Sequence, residues 1–346
     1  MAGRPDAGAR VRAGGRRRGS WAARAAAANA VGLLAGAGLD AVFADPRHGH
    51  PVAGHGGLAG VLERQTYRPS RRAGAVHVAV GVGVPVAAAA WAGWATRRRP
   101  VLRAALVAAT TWAVLGGASL RHEAHVMADE LDHGDLYAAR TRLPHLCGRD
   151  PSSLGAEDLA RATVESVAEN TSDAVVAPLC WGALAGLPGL VGYRAVNTLD
   201  AMIGRRSPRY ERFGWAAARL DDAANLAPSR LTAALTVAAA GVVRGSRSEA
   251  FRVWLADGGR HPSPNAGQCE AAMAGALGVR LGGRNAYEGR VEHRPELGSG
   301  RPPRPDDARR AARLSAVVGA VAAALCAGHA LAAPWRLRAL RAWRRR

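Results

Sequence analysis

Three acidic residues spaced four apart, Glu165, Glu169 and Asp173, lie just before a long uncharged stretch. On an α-helix this spacing places the three carboxylates along one face, where they repel one another unless a cation or a basic substrate compensates their charge. Carboxylate and amide oxygens suit Mg²⁺, which is commonly shared with a substrate phosphate. We therefore predict a magnesium site at these three residues, with Asn170 beside them. A solvated helix face is the alternative.

A second cluster of chemistry-bearing residues occupies positions 193–230, where an arginine-rich loop separates two groups of acids and amides. Arginine binds phosphate or carboxylate through two parallel hydrogen bonds, and paired aspartates bind a metal ion or another cation. The pattern predicts a site for a phosphorylated, metal-bound substrate, with an internal salt-bridge network as the alternative. Its polar residues are Arg194, Asn197, Asp200, Arg205, Arg206, Arg209, Arg212, Arg219, Asp221, Asp222 and Asn225.

Two further motifs place polar side chains beside turns. At residues 40–51 an apolar run ends and two turn-forming dipeptides follow, Asp45-Pro46 and His50-Pro51. The residue before a proline avoids the helical region, which favours a turn at each dipeptide. A capped helix end is the alternative for this motif. The second motif, residues 261–289, contains His261, Asn265, Glu270 and Asn285. Neither motif has the spacing of a zinc site or the signature of a nucleotide-binding loop.

Uncharged stretches near the length of a membrane span recur along the chain. A helix needs about 20 residues to cross the hydrocarbon core of a bilayer. Four stretches fit, and two shorter ones could be thin spans, re-entrant helices or buried helices. We therefore predict an all-α, polytopic integral membrane protein with about four to six membrane helices, helical polar loops and no β-strands. The four stretches are residues 74–95, 104–120, 174–193 and 314–335, and the shorter two are 25–39 and 231–243.

The formal net charge of +20 raises the question of a nucleic-acid partner. Basic residues are spread over both tails and the loops, without a finger motif or a helix-turn-helix signal. Arginines that contact anionic lipid and set the membrane orientation explain this distribution better. We predict a basic disordered tail at residues 1–24, a single membrane-embedded domain at 25–335 and a basic tail at 336–346.

The motifs together resemble the CobD/CbiB family of cobalamin biosynthesis, the adenosylcobinamide-phosphate synthases. The resemblance rests on LDAVFADPRHGHP at residues 39–51, on GRDPSSLGAEDLARATVESVAENTSDAVVAP at 148–178, and on residues 193–232 and 261–289. It runs in order through about residues 30 to 333. Ser172-Asp173-Ala174 departs from the usual SDG of the family, which removes a glycine but keeps the acid.

The resemblance implies a multi-pass protein of the cell membrane that joins (adenosyl)cobyric acid to (R)-1-aminopropan-2-ol phosphate through an amide bond. The product would be adenosylcobinamide phosphate, and the family is described as an ATP-using ligase, which implies ATP and Mg²⁺. Activation of the carboxylate as an acyl phosphate would precede attack by the amine, whose proton a carboxylate could take. A non-catalytic transporter or scaffold for corrinoid intermediates is the alternative.

The implied partners are the corrinoid, aminopropanol phosphate, the lipid bilayer and other late cobalamin enzymes at the membrane, and nucleic acid is not among them. The family motifs indicate which positions matter, and their chemistry suggests the roles. We expect catalytic roles for Glu165, Glu169, Asn170, Asp173, Asp221 and Asp222, with Mg²⁺ on Glu165, Glu169 and Asp173 or on Asp221 and Asp222. Phosphate would bind Arg194, Arg219 and the loop at 205–212, and the corrinoid would bind His261, Asn265 and Asn285. The full substrate-binding set is Asp45, His50, Arg194, Asn197, Asp200, Arg219, His261, Asn265, Glu270 and Asn285.

Overall fold

A computed structural model describes residues 7–45, 50–205, 207–287 and 290–343, and the side chains of 22–45, 50–205, 207–285 and 292–333. The helices within these residues are α1 (Ala7–Phe43), α2 (Pro51–Thr66), α3 (Arg71–Ala95), α4 (Pro100–Val114), α5 (Gly117–Asp132), α6 (Leu136–Arg142), α7 (Ala156–Thr171), α8 (Ala177–Ala185), α9 (Leu187–Leu199), α10 (Trp215–Ala239), α11 (Arg247–Asp257), α12 (Ala266–Leu277) and α13 (Pro305–Trp343). Two π-helical turns, Ser172–Val176 and Asp200–Gly204, precede α8 and follow α9, and 3₁₀ turns occupy Leu143–His145 and Ala240–Val243. Strands β1 (Leu281–Tyr287) and β2 (Arg290–Leu297) form an antiparallel hairpin.

Five helical segments of the described chain are long and apolar enough to cross a membrane. They are Ala22–Phe43, Arg71–Ala95, Pro100–Asp132, Trp215–Val243 and Pro305–Ala333. The two short uncharged runs at 25–39 and 231–243 therefore belong to longer helical segments, because α1 extends past both ends of the first run and α10 begins well before the second. The chain is an all-α polytopic membrane protein, as predicted, and five segments fall within the predicted number.

The predicted single span at residues 174–193 is wrong, because a pair of short helices occupies this segment. Helix α8 ends at Gly186, whose φ of 65° lies in the left-handed region that glycine adopts without strain, and α9 starts at the next residue. A Cβ atom at Gly186 would lie 3.2 Å from the side-chain nitrogen of Asn29 on α1. Arg103 of α4 donates to Asn29 Oδ1 (2.8 Å) and to the carbonyl of Gly93 (2.8 Å), so polar groups surround the tip of the pair.

The prediction that the chain contains no strands is wrong for Leu281–Tyr287 and Arg290–Leu297. Gly282 and Gly283 have φ of 87° and 84°, and the register of the hairpin shifts between Leu281 and Gly283. A Cβ atom at Gly282 would lie 2.2 Å from the carbonyl oxygen of Pro295, so the hairpin depends on glycine at this position. The structure also extends α1 back to Ala7, which corrects the predicted disorder for residues 7–24. Alanine and arginine, both strong helix formers, are abundant there.

The two largest apolar clusters of the described core meet at the end of α7. The first joins α5, α6, α7, α11, α12, the hairpin and the start of α13, and the second joins α1, α4, α8, α9 and the later turns of α13. Val167 of α7 belongs to the first cluster, whereas Val175 of the following π turn belongs to the second. Thr171, between them, donates to Ser315 of α13 over 2.8 Å. The acidic face of α7 therefore ends where the two clusters meet.

Helices α1 and α4 pack through small residues. Gly32 and Gly36 are buried against α4, and a Cβ atom added at Gly36 would lie 2.4 Å from Thr111 Cβ and 2.6 Å from the Ala108 carbonyl. Small residues four apart allow helix backbones to approach closely in lipid, where packing rather than the hydrophobic effect holds helices together.

We expect Gly36→Val to destabilise the protein by about 1–3 kcal/mol, because the added methyl groups must push α1 and α4 apart. Thermal unfolding in detergent micelles measures the effect as a lower midpoint temperature. The same substitution at the exposed Gly38 is the control, since a Cβ added there would meet no atom within 4 Å. Equal losses for the two variants would show that valine in α1, and not the contact with α4, is responsible.

Candidate functional site

Most of the residues predicted for the site converge on one buried centre between α7, α9, α10, α12 and the hairpin. We call its seven carboxyl groups the acidic centre. These carboxyl groups come from four separate parts of the chain, yet each lies close enough to at least one of the others for their charges to interact. The acidic centre consists of Glu165, Glu169, Asp173, Asp200, Asp221, Asp222 and Glu270.

Glu165 is fully engaged with protein groups. Its 2% exposed carboxylate pairs with Arg149, accepts the backbone N–H of Gly282 over 2.6 Å, and lies 3.6 Å from Arg161 Nη1. Arg161 in turn donates to the carbonyl of Gly282 and, over 3.0 Å, to Asn285 Oδ1. A buried carboxylate is tolerated where such donors and cations compensate the loss of water. Glu165 therefore positions the hairpin against α7.

The predicted magnesium site at Glu165, Glu169 and Asp173 is not preformed. Among the residues that the structure describes, no three His, Cys, Asp or Glu side chains are close enough to hold a metal ion together. The reason at this ridge is that the Glu165 oxygens are turned to Arg149 and Gly282. The alternative pair Asp221 and Asp222 does not form a three-ligand group either. A metal ion at this centre would need oxygen ligands from a substrate as well.

Glu169 and Asp173 form the middle of the acidic centre. Burial raises the pKa of Glu169, and the charges of Arg294 and Arg149 partly oppose this rise. Burial raises the pKa of Asp173 well above its usual range, and the charges of Asp221 and Glu169 add to the effect. Asp173 lies in the π turn after α7, a feature that is frequent at functional sites. Both groups would gain from a bound cation, since a cation favours their charged form.

Asn170 turns away from these acids. Its side-chain nitrogen donates to the carbonyl of Ser166 over 2.9 Å, one turn earlier on α7. Ser166 itself donates to the carbonyl of Leu146 over 2.6 Å. The predicted catalytic role of Asn170 therefore has no contact in the described structure that supports it.

Helices α9 and α10 form the second half of the site. Asp221 accepts a hydrogen bond from Asn225 at one oxygen (3.0 Å) and a longer one from Asn197 at the other (3.4 Å). Arg194 donates to Asn197 Oδ1 over 3.4 Å. Asp200, in the π turn after α9, has its pKa raised to about 7 by burial and then by the charges of Asp221 and Asp222. The hydrogen bond from Asn197 to Asp221 joins α9 to α10.

The arginine-rich loop at 205–212 does not converge on the centre as a unit. Arg205 lies beside Gly148 and its charge reaches Asp200, whereas Arg209 donates to Glu63 of α2 over 3.0 Å. Arg206 lies outside the described residues. Arg219 is largely exposed and lies 3.8 Å from Asp222, which makes it a marginal candidate for phosphate binding.

His261, on the loop before α12, and Glu270, on α12 itself, lie close to each other and to Arg294 of β2. His261 accepts the backbone N–H of Ser263 at Nδ1 (3.0 Å), and its Nε2 lies 3.3 Å from Arg294 Nη1 and 4.0 Å from Glu270 Oε1. Burial, and then the charge of Arg294, lower the pKa of His261 to about 4, so that the ring is neutral at neutral pH. Burial raises the pKa of Glu270 well above its usual range.

Asn265 and Asn285 link this region to neighbouring elements through hydrogen bonds. Asn265 donates to the Asp222 carbonyl over 2.8 Å and accepts from the Ser229 hydroxyl over 3.2 Å, which ties the start of α12 to α10. Asn285 is 1% exposed and accepts from Arg161. The Nδ2 atom of Asn285 has no partner among the described residues, so it is available to a ligand.

Asp45 and His50 approach the centre from the end of α1. His50 Nε2 lies 3.4 Å from Asp45 Oδ1, and the charge of Asp45 reaches Arg194. The alternative interpretation also applies, because His50 Nδ1 accepts the N–H of Val52 and so caps α2. His48 of the same motif lies outside the described residues.

Sequence reasoning missed three arginines of the site, the buried Arg149 and Arg161 and the partly exposed Arg294. The four-residue spacing of Arg161 and Glu165 on α7 is a signal that could have identified their ion pair. Arg149 and Arg294 reach the centre from a loop and from β2, and no spacing in the sequence indicates this. Tyr193 was also missed, and its hydroxyl donates to Asn225 over 2.9 Å.

Comparison with known proteins identifies the group to which this arrangement belongs. The family model described as CobD/Cbib protein matches residues 33–315, which include every residue of the acidic centre. The chain belongs to this family. It is 55% identical to the cobalamin biosynthesis protein CobD of Mycobacterium tuberculosis (strain CDC 1551 / Oshkosh), over 86% of this chain and 94% of that protein.

More distant members of the CobD/Cbib family match over similar lengths. The cobalamin biosynthesis proteins CobD of Geobacter metallireducens and Rhodobacter capsulatus are 44% and 45% identical to this chain, each over 78% of it, and the match covers 86% and 85% of their lengths. No solved structure matches this chain. The geometry of the acidic centre therefore comes from the present structure alone.

We expect Glu165→Leu to cost about 3–5 kcal/mol of stability, because it leaves Arg149 buried without its carboxylate. The double variant with Arg149→Met should recover part of the loss, since both charges are then gone. Thermal unfolding measures the stability, and hydrogen exchange of the Gly282 amide measures the attachment of the hairpin. Glu249→Leu, which breaks an exposed pair with Arg252, is the control and should cost under about 1 kcal/mol. A double variant that is less stable than Glu165→Leu would contradict this account.

We expect Asp200 to make stability depend on pH. Its carboxyl has a pKa of about 7 in the folded protein and an ordinary value of 3.8. Between these values the folded state binds more protons than the unfolded state, so stability falls as pH rises through this window. Asp200→Asn should therefore raise the midpoint of thermal unfolding at pH 8 and change it little at pH 4, in buffer with a metal chelator. The same difference at both pH values would contradict the assignment.

Proposed function

We propose that this protein is the adenosylcobinamide-phosphate synthase of cobalamin biosynthesis and acts in the cell membrane. It would join (adenosyl)cobyric acid to (R)-1-aminopropan-2-ol phosphate with consumption of ATP. Two kinds of observation support the proposal. The family members named above are cobalamin biosynthesis proteins, and the buried centre has a charge distribution that fits a substrate with an amine at one end and a phosphate at the other.

The observation that carries the proposal is the unequal distribution of charge across the acidic centre. Towards the hairpin, the three carboxyls Glu165, Glu169 and Glu270 are matched by three arginines. Those arginines are Arg149, Arg161 and Arg294. Guanidinium groups suit phosphate because their donors match its oxygens in pairs. We assign the phosphate-binding side of the site to this half.

The other half of the site is acidic. Asp173, Asp200, Asp221 and Asp222 act on one another there, and Arg194 and Arg205 offset only part of their charge. An ammonium group or a metal ion would lower the cost of burying these carboxylates. We assign the amine of aminopropanol phosphate to this half, so that the substrate lies across the centre with its phosphate towards the hairpin.

The proposed reaction has two steps. An oxygen of the cobyric acid carboxylate attacks the γ-phosphorus of ATP, the bond to the β–γ bridging oxygen breaks, and ADP leaves. Aminopropanol phosphate, bound as an ammonium, gives one proton to a carboxylate of the acidic half. Its neutral amine then attacks the acyl carbon, the amide bond forms, and inorganic phosphate leaves. The second proton lost by the nitrogen passes to a carboxylate, for which Asp221 is placed by its two asparagines. The arginine half stabilises the transferring phosphoryl group.

Magnesium fits this site as an ion shared with phosphate. Carboxylate oxygens of Glu169 and Asp173 are the protein ligands that remain after Glu165 is engaged, and two carboxylates with phosphate oxygens and water are a common environment for Mg²⁺. When bound, the ion would neutralise phosphate charge during phosphoryl transfer. His261, Asn265 and Asn285 remain the proposed contacts of the corrinoid, and Asn285 Nδ2 has a donor to offer it.

We expect Asp173→Asn to abolish product formation and leave membrane insertion intact, because it removes a carboxylate from the middle of the centre without changing its size. Membranes that contain the protein are incubated with adenosylcobyric acid, aminopropanol phosphate, Mg²⁺ and ATP, and mass spectrometry measures adenosylcobinamide phosphate. A parallel reaction omits ATP. The control is Asp129→Asn, which changes an exposed carboxylate paired with Arg309 outside the centre and should keep wild-type activity.

Each outcome of this experiment has a separate meaning. Product that forms only with ATP supports the ligase, and product without ATP would contradict the nucleotide requirement. Unmodified corrinoid in the presence of folded, inserted wild-type protein would contradict the proposal and favour a transporter or scaffold. Wild-type turnover by Asp173→Asn would remove this carboxylate from the mechanism.

A further inference from the structure

A chain of buried hydrogen bonds leads from the apolar floor of the site to Asp221. The hydroxyl of Tyr193 on α9 donates to Asn225 Oδ1 over 2.9 Å, and Asn225 Nδ2 donates to Asp221 Oδ2 over 3.0 Å. Tyr193 and Asn225 are 3% and 1% exposed, so water does not compete for these groups. The two residues lie beneath a carboxylate to which the proposed reaction gives a role, and that role requires neither of them to contact the substrate.

The direction of the chain follows from the chemistry of its members. An ionised carboxylate only accepts hydrogen bonds, so Asn225 must present its nitrogen to Asp221. Its oxygen then faces Tyr193, and the hydroxyl has to be the donor. The orientation of the Asn225 amide is thereby coupled to the charged state of Asp221, and the phenol hydroxyl holds that orientation in place. Without the hydroxyl, a buried amide oxygen would lose its partner.

The surroundings keep this chain rigid. Tyr193 packs with Ala177 and Ala224 in a small apolar cluster, and Trp181 of α8 donates to the Ala224 carbonyl over 3.0 Å. The second oxygen of Asp221 receives the longer hydrogen bond from Asn197 of α9. Asp221 is thus held from two helices at both oxygens, which fixes the plane of the carboxylate. Each oxygen keeps a further lone pair for a ligand.

We infer that Tyr193 and Asn225 are positioning residues that orient the Asp221 carboxylate for the amine of aminopropanol phosphate. This inference rests on the proposed function and deepens it. Asp221 is then the group that faces the amine. Tyr193 and Asn225 have no chemical role of their own and act by holding the Asp221 carboxylate in its orientation. Misplacement of a reacting group by about 1 Å is enough to cost roughly 100-fold in rate.

The test is Tyr193→Phe, which removes one hydroxyl and keeps the ring. We expect kcat to fall about 10- to 100-fold while KM for cobyric acid changes by less than about 2-fold, because only the orientation of Asp221 is disturbed. Tyr137→Phe is the control. Tyr137 lies on α6 outside the acidic centre and is 82% exposed, so the loss of its hydroxyl should leave both constants unchanged.

A double-mutant cycle separates positioning from simple stabilisation. In an Asp221→Asn background, Tyr193→Phe should have a further effect of less than about 2-fold, because the carboxylate that it orients is absent. If turnover of that background is too slow to follow, calorimetric titration with aminopropanol phosphate measures the same cycle in binding affinity. Equal losses in both backgrounds would overturn the inference and leave Tyr193 a structural residue. Asn225→Ala should behave as Tyr193→Phe does, with a larger loss.

The failure of this inference is distinct from the failure of the proposed function. A wild-type protein that forms no adenosylcobinamide phosphate contradicts the function. A wild-type protein that forms it, together with a Tyr193→Phe variant of unchanged kcat, contradicts the positioning role alone.

Discussion

Carboxylates buried in an apolar interior must find donors or cations among protein groups, and this requirement organises the whole molecule. Glu165 meets it with Arg149, with Arg161 and with the N–H of Gly282. Three segments that are distant in sequence, the loop before α7, α7 itself and the hairpin, are therefore joined at one carboxylate. The hairpin has little core of its own, and its position over the acidic centre follows from this joint. The arginines that neutralise Glu165 also belong to the half of the site to which we assign the phosphate.

The helix pair α8–α9 provides the second fixed element, and its construction explains why it is not a membrane span. Each end of the pair carries a π turn, and each π turn carries an aspartate, Asp173 before α8 and Asp200 after α9. The tip at Gly186 rests against Asn29 and Arg103 on the far side of the second apolar cluster. The pair thus returns the chain to the point from which it started. Two aspartates 27 positions apart in sequence reach the same centre for this reason.

Features that depend on residues close together in the sequence can be predicted from it, whereas features that depend on contacts between distant segments cannot. The carboxylate ridge of α7 and the membrane helices depend on spacings within one element, and both are predictable from the sequence. The break at Gly186 is hidden because apolar composition continues across it. Arg149 and the N–H of Gly282 reach Glu165 from distant parts of the chain, so the spacing of the acids predicts a metal site although one of the three acids is a structural anchor. The hairpin depends on two glycines with positive φ, a signal too short to distinguish from a turn.

In the proposed reaction the activated carboxylate must meet an amine before it meets water, and the position of the acidic centre serves this need. The centre lies where two apolar clusters meet, so that the groups around it are buried and electrostatic interactions are strong. Burial raises the pKa of Asp173 and Glu270. It would also make each half of the site selective for a substrate group of the opposite charge, since any other group would lose its hydration there without gaining a favourable charge interaction. Asp221 differs from these two acids in accepting a hydrogen bond from an asparagine at each oxygen. These two hydrogen bonds, from α9 and from α10, fix the plane of the carboxylate, so Asp221 is oriented to accept the proton that the amine releases.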